Sequence, residues 1–199
     1  SVMSGVVRPG KTALIVVDVQ TKFYSDNEQV RTAFPLLPAK LGALLQFCRK
    51  PDSGVGLIVH VRAVYSAKVG SLWQPFFADM NPEKAGDCEN TPEAFAAEIP
   101  DGAVPEIVVE KTTFDGFQNT ILEQVLRRHG IEQVLVAGLV TSACVLMTSH
   151  GAFSRGFRVA LVEDCLGDRT IEKQKAILSI YGGYMFQITS NAEVGVPQS

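Results

Sequence analysis

An apolar run at residues 134–140 is followed at once by residues that begin a helix. The run is rich in valine and leucine, a composition typical of a strand that is buried on both faces of a parallel sheet. Thr141 and Ser142 can each cap a helix N-terminus, and small or apolar residues then recur at helical spacing. Cys144 is therefore predicted to lie in the first turn of a helix that begins where a buried strand ends.

That position would make the Cys144 thiol more reactive. The first N–H groups of a helix lack partners, and the helix dipole places partial positive charge there. A thiol in that field loses its proton more readily, and the same N–H groups could hold an oxyanion. Because most free cysteines are buried structural residues, position alone leaves both interpretations of Cys144 open.

Apolar runs and amphipathic segments alternate along the rest of the chain. Strands are predicted at residues 11–20, 55–61, 106–111, 133–140, 157–164 and 184–190, and helices at residues 35–50, 119–129, 142–155 and 170–181. This alternation predicts a doubly wound α/β fold of three layers (α/β/α), with a six-stranded, mainly parallel sheet. Since 199 residues suffice for one such core and no linker is visible, we expect a single domain over residues 1–199.

The longest predicted connection, residues 66–105, contains several aromatic residues and five prolines. Long connections in compact domains usually carry function, so we expect this segment to pass over the carboxyl edge of the sheet. Trp73, Phe76 and Phe77 would then either form walls of a pocket or anchor the loop to the body of the protein.

Composition argues against several classes of partner. The chain is 46% hydrophobic and 20% charged, with a formal net charge of −3, so neither a nucleic-acid surface nor a polybasic membrane patch is expected. No apolar run approaches the length of a membrane span. Residues 1–5 show no signal-peptide pattern, which favours a cytoplasmic protein, although a removed signal peptide would leave the same appearance.

The cysteines and histidines do not form a recognisable metal or triad pattern. The four cysteines have no C-x-x-C pair and no nearby histidine; they are Cys48, Cys88, Cys144 and Cys165. The three histidines have plainer explanations: His60 lies within a strand, His129 at a helix end, and His150 on another face of the Cys144 helix. We therefore expect no metal site and no histidine-based triad.

Three predicted strands end in chemically active side chains: Asp18, Lys111 and Cys144. The carboxyl ends of parallel strands lie at one edge of the sheet, where ligands bind. Asp18 alone is more simply explained as a cap, but the three groups together would form a coherent site. Asp18 could accept the thiol proton, while Lys111 would lower the thiol pKa and keep the carboxylate ionised.

Four motifs resemble one family, the isochorismatase-like hydrolases, also called the cysteine hydrolase superfamily, which includes nicotinamidases and N-carbamoylsarcosine amidases. They occur in family order over nearly the whole chain, as LIVVDVQTKF (residues 14–23), VEKTTFDGF (109–117), AGLVTSACV (137–145) and GFRVALVED (156–164). The resemblance implies a Rossmann-like fold, an Asp18–Lys111–Cys144 catalytic triad and a homo-oligomer, either a dimer or a tetramer. It also implies a cis peptide bond between Leu139 and Val140 and an oxyanion hole formed by the amides of Val140 and Cys144.

Departures from the family pattern narrow the expected activity. Metal-dependent nicotinamidases carry an Asp-x-His motif and further histidines after the second strand, whereas this chain has only His60 there. The resemblance therefore implies a metal-free and cofactor-free enzyme. True isochorismatases often lack the cysteine, so the presence of Cys144 favours cleavage of an amide or ester through a covalent intermediate, and Asp164 is interpreted as structural.

Two alternatives remain open from the sequence. One is hydrolysis of isochorismate to 2,3-dihydro-2,3-dihydroxybenzoate and pyruvate, with Asp18 as the acid and Cys144 idle. The other is a binding or assembly module that keeps the fold without catalysis. For a small-molecule substrate, the candidate pocket residues are Gln20, Phe23, Trp73 and Phe117.

Overall fold

A six-stranded parallel sheet forms the centre of the protein. The computed structural model describes residues 5–65, 73–81 and 104–197, so Cys88 and most of the predicted excursion over residues 66–105 lie outside the described residues. The strands are β1 (Thr12–Val17), β2 (Val55–Ala63), β3 (Glu106–Lys111), β4 (Gln133–Leu139), β5 (Arg158–Gly167) and β6 (Gln187–Thr189). Their order in the sheet is β3-β2-β1-β4-β5-β6, and each adjacent pair is parallel.

Helices cover both faces of this sheet, as predicted for a three-layer fold. They are α1 (Glu28–Ala33), α2 (Leu37–Cys48), α3 (Trp73–Met80), α4 (Leu122–Arg128), α5 (Leu146–Ser154), α6 (Ile171–Tyr181) and α7 (Asn191–Val194). Alternate residues of β1 enter two separate cores. Ile15 and Val17 pack with residues of α4 and α5, whereas Leu14 and Val16 pack with residues of α2 and α7. No helix in the part of the chain that the structure describes is long and apolar enough to cross a bilayer.

The carboxyl end of β4 lies unusually close to β1. Gly138 pairs with Val17 and has a φ of +117°, and a Cβ atom added there would lie 2.1 Å from the Val17 carbonyl oxygen. Only glycine tolerates both that backbone conformation and that approach. Gly138 therefore allows the turn that follows β4 to lie beside the end of β1, where Asp18 is found.

Several elements differ from the sequence-based prediction. The sixth strand is three residues long, because Gly183 adopts a φ of +72° and the Met185 and Phe186 N–H groups donate back to the Tyr181 carbonyl. Helix α4 begins at Leu122, three residues later than expected. Helices α1, α3 and α7 were not predicted, although α7 has a capping box between Ser190 and Glu193.

Candidate active site

Three strand ends meet at the carboxyl edge of the sheet. Asp18 follows β1, Lys111 is the last residue of β3, and Cys144 lies in the turn after β4. Lys111 Nζ lies 2.9 Å from Asp18 Oδ2 and 3.3 Å from Cys144 Sγ. The exposed fractions of Asp18, Lys111 and Cys144 are 2%, 0% and 6%. The predicted group of three side chains is thus a buried cluster centred on the lysine amine.

The lysine amine is held by two further oxygen atoms. Lys111 Nζ donates to the Thr113 carbonyl oxygen at 2.9 Å and to the Tyr65 hydroxyl at 3.1 Å. An ammonium group has three protons, so these neighbours, together with Asp18 and Cys144, exceed its donor capacity. Lys111 is therefore fixed in position and is fully buried.

The three charges determine one another's ionisation. Burial raises the pKa of Asp18, and this effect outweighs the opposing attraction of Lys111. Burial alone would lower the pKa of Lys111, but the negative charges of Cys144 and Asp18 raise that pKa overall. Burial and the Asp18 charge together raise the pKa of Cys144. The cluster therefore keeps Lys111 charged. The Lys111 charge lowers the thiol pKa, as expected from the sequence, but burial and the Asp18 charge outweigh it, so the predicted overall lowering of that pKa is not found.

The turn that carries Cys144 does not have α-helical geometry. The peptide bond between Leu139 and Val140 is cis, at the position the resemblance implied, and Thr141–Val145 form a π-helical turn. Cys144 thus precedes α5 and does not lie in its first α-helical turn. The sequence pattern could not distinguish the two helix types because they differ by one residue in hydrogen-bond spacing.

Asp168, which the sequence analysis did not single out, caps this turn. The fully buried side chain accepts a hydrogen bond from the Ser142 N–H at 2.7 Å and another from the Arg169 N–H at 2.7 Å. Thr141 Oγ1 also donates to the Gly167 carbonyl oxygen at 3.0 Å. Asp168 follows β5 directly, so the signal available in the sequence was an acid after an apolar strand, four residues beyond Asp164.

A small cavity of about 190 Å³ opens onto the thiol. Its lining includes aromatic residues, polar residues and two cationic residues. The lining residues are Asp18, Lys22, Phe23, Asn27, Tyr65, Phe77, Asn81, Phe114, Val140, Ala143, Cys144 and Arg169. The volume corresponds to about six water molecules, so the cavity suits a small molecule.

Comparison with known proteins identifies the family. Residues 12–193 match the family described as the isochorismatase domain. The chain belongs to the isochorismatase family. It is 30% identical to maleamate amidohydrolase of Pseudomonas putida over 175 residues, which covers 84% of this chain and 78% of the relative. It is 33% identical to streptothricin hydrolase of Streptomyces noursei over 76% of this chain, but spans only about half (48%) of that relative.

Solved structures share the fold. A cysteine hydrolase from Pseudomonas syringae pv. phaseolicola superposes with a TM-score of 0.77 at 22% identity, covering 94% of this chain and 92% of that chain. A pyrazinamidase of Pyrococcus horikoshii, determined in complex with zinc, has a TM-score of 0.68 at 25% identity, covering 90% and 99%. The isochorismatase-family fold therefore extends over nearly the whole chain.

His60, the one histidine of the second strand, lies beside an acidic side chain. His60 lies 2.5 Å from Glu106 Oε1, and Glu106 also accepts two hydrogen bonds from Arg49. Within residues 5–65, 73–81 and 104–197, no three His, Cys, Asp or Glu side chains lie close enough together to hold a metal ion. The described donor set does not fit a zinc ion beside Cys144.

Asp164 accepts a hydrogen bond from the Asn191 N–H at 3.0 Å, which is a structural contact.

Two of the four predicted pocket residues lie elsewhere. Gln20 is buried, and its side-chain amide exchanges two hydrogen bonds with the backbone of Ala63, at 3.0 Å and 2.8 Å; it joins β1 to β2 and is not among the residues that line the thiol cavity. Phe117 is a core residue whose ring lies 6.2 Å from that of Phe157. Its place in the family-like motif suggested the pocket, but the turn directs Phe117 inward and Phe114 toward the thiol.

The other two predicted pocket residues lie near the thiol. Phe23 lines the cavity. Trp73 packs against the cavity residue Tyr65, with the two ring centroids 5.3 Å apart. Its Nε1 donates a hydrogen bond to the Thr112 carbonyl oxygen at 3.0 Å. Trp73 therefore supports the wall and lines a neighbouring apolar groove. The cavity residues Lys22, Tyr65 and Arg169 were missed because their sequence neighbourhoods have no pattern that distinguishes them from solvated surface residues.

Proposed function

We propose that the protein is a cysteine-dependent amidohydrolase of small amides. The observation that supports this best is the placement of Lys111 Nζ, 2.9 Å from Asp18 Oδ2 and 3.3 Å from Cys144 Sγ, in a buried cluster open to a small cavity. A base and a nucleophile that both lie within contact distance of one cationic nitrogen are the central groups of a covalent hydrolase. The maleamate amidohydrolase relative supports an amide as the bond that is cleaved.

In the proposed reaction, Asp18 moves the protons. The Cys144 thiol gives its proton to the Asp18 carboxylate, and the thiolate attacks the carbonyl carbon. The tetrahedral intermediate collapses when Asp18 returns that proton to the leaving nitrogen, which departs as an amine or ammonia and leaves a thioester. Asp18 then takes a proton from water, and the resulting hydroxide displaces the thiolate to form the carboxylic acid product. Asp18 gives this proton to the released thiolate, which restores the carboxylate and the thiol.

Lys111 and the nucleophile turn would stabilise the charges that arise in these steps. Lys111 remains charged and offsets the negative charge as it moves from the carboxylate to the sulfur. The N–H groups of Val140 and Cys144 are the proposed donors to the oxyanion, and both residues border the cavity. Burial raises the pKa of Asp18 more than hydrogen bonds from Cys144 and Lys111 lower it, so the carboxylate is suited to take up the thiol proton.

The two cationic residues of the cavity lining favour an amide that also carries a negative charge. Lys22 and Arg169 both line it, while Asp18 is the single acidic residue among the described lining residues and is neutralised by Lys111. Phe23 and Phe114 would enclose the apolar part of the substrate. A guanidinium and an ammonium group are suited to hold a carboxylate, so the proposed substrates are short amides with a carboxylate at the far end.

Turnover of a substrate panel by the wild type and by Cys144→Ala tests the proposal. The panel contains maleamate, succinamate, nicotinamide and isochorismate. We expect cleavage of the anionic amides by the wild type, loss of this activity in Cys144→Ala, and retained activity in the matched variant Cys165→Ala, whose thiol is buried in the core on the other side of the sheet. Isochorismate cleavage that survives in Cys144→Ala would contradict the nucleophile role, and binding without cleavage of any compound would favour the binding-module alternative.

A charge variant tests the substrate class separately. Arg169→Gln should raise the KM for maleamate roughly 10- to 100-fold, which corresponds to the loss of a hydrogen bond to a charged group, with a smaller change in kcat. Arg158→Gln, which removes an exposed arginine at the start of β5, is the control and should leave KM unchanged. Equal effects of the two substitutions, or a larger effect on nicotinamide, would argue against the anionic substrate class.

A further inference from the structure

The Tyr65 hydroxyl lies at a junction of three polar atoms. It accepts a hydrogen bond from Lys111 Nζ at 3.1 Å, lies 3.3 Å from the Thr113 carbonyl oxygen, and lies 3.6 Å from Cys144 Sγ. The distance to sulfur is within the range of a hydrogen bond to that larger atom. Tyr65 lies two residues beyond the end of β2, so the second strand also contributes a group to the cluster formed by the ends of β1, β3 and β4.

Among the described residues, the single hydroxyl proton of Tyr65 has the Thr113 carbonyl oxygen and the Cys144 sulfur as candidate acceptors. Lysine has no acceptor atom, so the contact with Lys111 uses an oxygen lone pair of Tyr65 and leaves its proton available. The Thr113 carbonyl already accepts a hydrogen bond from Lys111 at 2.9 Å. A neutral thiol is a weak acceptor, but a thiolate is charged and forms stronger hydrogen bonds than a neutral group. The proton should therefore turn from Thr113 to Cys144 when the sulfur loses its own proton.

The Tyr65 ring is held in place while the hydroxyl proton turns. Three aromatic rings contact it edge to face: Phe23 at 6.5 Å, Trp73 at 5.3 Å and Phe114 at 6.3 Å. Tyr65 is buried, so water competes little for its hydroxyl. Rotation about the C–O bond alone changes the acceptor, and no side-chain rearrangement is needed.

We propose that Tyr65 is a further catalytic residue, whose hydroxyl donates a hydrogen bond to the Cys144 thiolate and stabilises it. The inference rests on the proposed function in that Cys144 is the nucleophile. Tyr65 keeps its proton throughout, and the thiol proton still passes to Asp18. Lys111 and Tyr65 then act on the sulfur together, one by its charge and the other by a directed hydrogen bond.

The rate at which iodoacetamide alkylates Cys144 tests this role without a known substrate. Alkylation forms a C–S bond and expels iodide, and it requires the thiolate. Its rate is measured from pH 5 to pH 10, with the modified cysteine identified by peptide mass spectrometry. Tyr65→Phe keeps the ring and removes the hydroxyl, so we expect roughly 10- to 100-fold slower alkylation at pH 7, the loss of one hydrogen bond to a charged group.

A matched control variant separates the role of the Tyr65 hydroxyl from general effects of a substitution. The charged and titratable groups that face the sulfur or line its cavity are Asp18, Lys22, Lys111 and Arg169, and they are the same in both proteins. Tyr24→Phe is the matched control, since the Tyr24 hydroxyl donates to the Phe34 carbonyl oxygen at 3.1 Å and Tyr24 is not among the described residues that line the thiol cavity. It should leave both the rate and its pH dependence unchanged.

Each outcome bears on a distinct claim. An alkylation rate that is unchanged in Tyr65→Phe over the whole pH range would overturn the thiolate-donor role. Wild-type alkylation of Cys144 no faster than that of Cys48 or Cys165 would instead contradict the proposed function. If thermal unfolding shows that Tyr65→Phe does not fold, 3-fluorotyrosine at position 65 preserves the hydroxyl and makes it a stronger donor. Alkylation at pH 7 should then be faster than in the wild type, and an unchanged rate would overturn the proposal.

Discussion

Replacement of Lys111 by methionine should destabilise the protein in a way that depends on pH. The substitution keeps an apolar chain of similar length and removes the buried charge that lies 2.9 Å from Asp18 Oδ2. At an effective dielectric constant of about 20, two unit charges at this separation attract each other by about 6 kcal/mol. Loss of one partner of a buried ion pair costs about 3–5 kcal/mol in practice, so we expect a loss of that size at pH 8.

Asp18 sets the sign of the pH dependence. Burial already raises its pKa, and loss of the Lys111 charge raises that pKa further above the value in the unfolded chain. A carboxyl group whose folded pKa is raised costs stability once the unfolded chain ionises and the folded protein does not. The free energy of unfolding lost by Lys111→Met should therefore be small near pH 4 and grow as the pH rises through neutrality.

Urea unfolding followed by the fluorescence of Trp73, the one tryptophan of the chain, measures this effect. Asp18→Asn in the Lys111→Met background should recover most of the stability lost at pH 8, because no buried carboxylate remains. Lys11→Met removes a surface lysine paired with Glu132 and should change stability little at any pH. A Lys111→Met loss that is equal at pH 4 and pH 8, or no recovery in the double variant, would refute the electrostatic account of the cluster.

Three further substitutions test other parts of the structure. Gly138→Ala should prevent folding, judged by circular dichroism, because the new Cβ would meet the Val17 carbonyl at 2.1 Å; Gly130→Ala, which also has a positive φ but no atom within 4 Å, should fold and cost only about 1–2 kcal/mol in urea unfolding. Asp168→Ala should cost about 2–4 kcal/mol and slow the alkylation of Cys144, because the Ser142 and Arg169 N–H groups lose their acceptor; Asp164→Ala should leave that alkylation unchanged. Gln20→Ala should cost about 1–3 kcal/mol of unfolding free energy without changing the KM for maleamate. Phe23→Ala, at a residue that lines the cavity, should change this KM. A changed KM in Gln20→Ala would contradict the placement of Gln20 between β1 and β2.

The positions and the parallel direction of the main strands could be predicted from the sequence because burial leaves a clear pattern, whereas their order in the sheet was not predicted. β1 and β4 are apolar at nearly every position and buried throughout, as strands covered on both faces must be. The sixth strand was overestimated because Tyr184 and Met185 have strand-forming side chains, yet Gly183 turns the backbone there. Tertiary contacts and glycine conformation decided that segment, and neither is visible in hydrophobic periodicity.

The triad candidates could be found because they occupy strand ends, whereas the cavity walls could not. The positions of Asp18, Lys111 and Cys144 follow from the parallel arrangement once the strands are assigned. Phe114 and Phe117 lie three residues apart in one motif, and the sequence alone does not say which enters the core. Tyr65 belongs to the cluster only through contacts with Lys111 and Cys144, which are 46 and 79 residues away along the chain.

Trapping the acyl group on the enzyme tests the central claim most directly. The wild type, Cys144→Ala and Cys165→Ala are each mixed with p-nitrophenyl acetate, an activated acyl donor, quenched with acid within milliseconds and digested for peptide mass spectrometry. The account predicts an acetyl thioester on Cys144 in the wild type and in Cys165→Ala, and no acetylated cysteine in Cys144→Ala. Acetylation of another residue in the wild type, or amide hydrolysis that persists in Cys144→Ala, would contradict it.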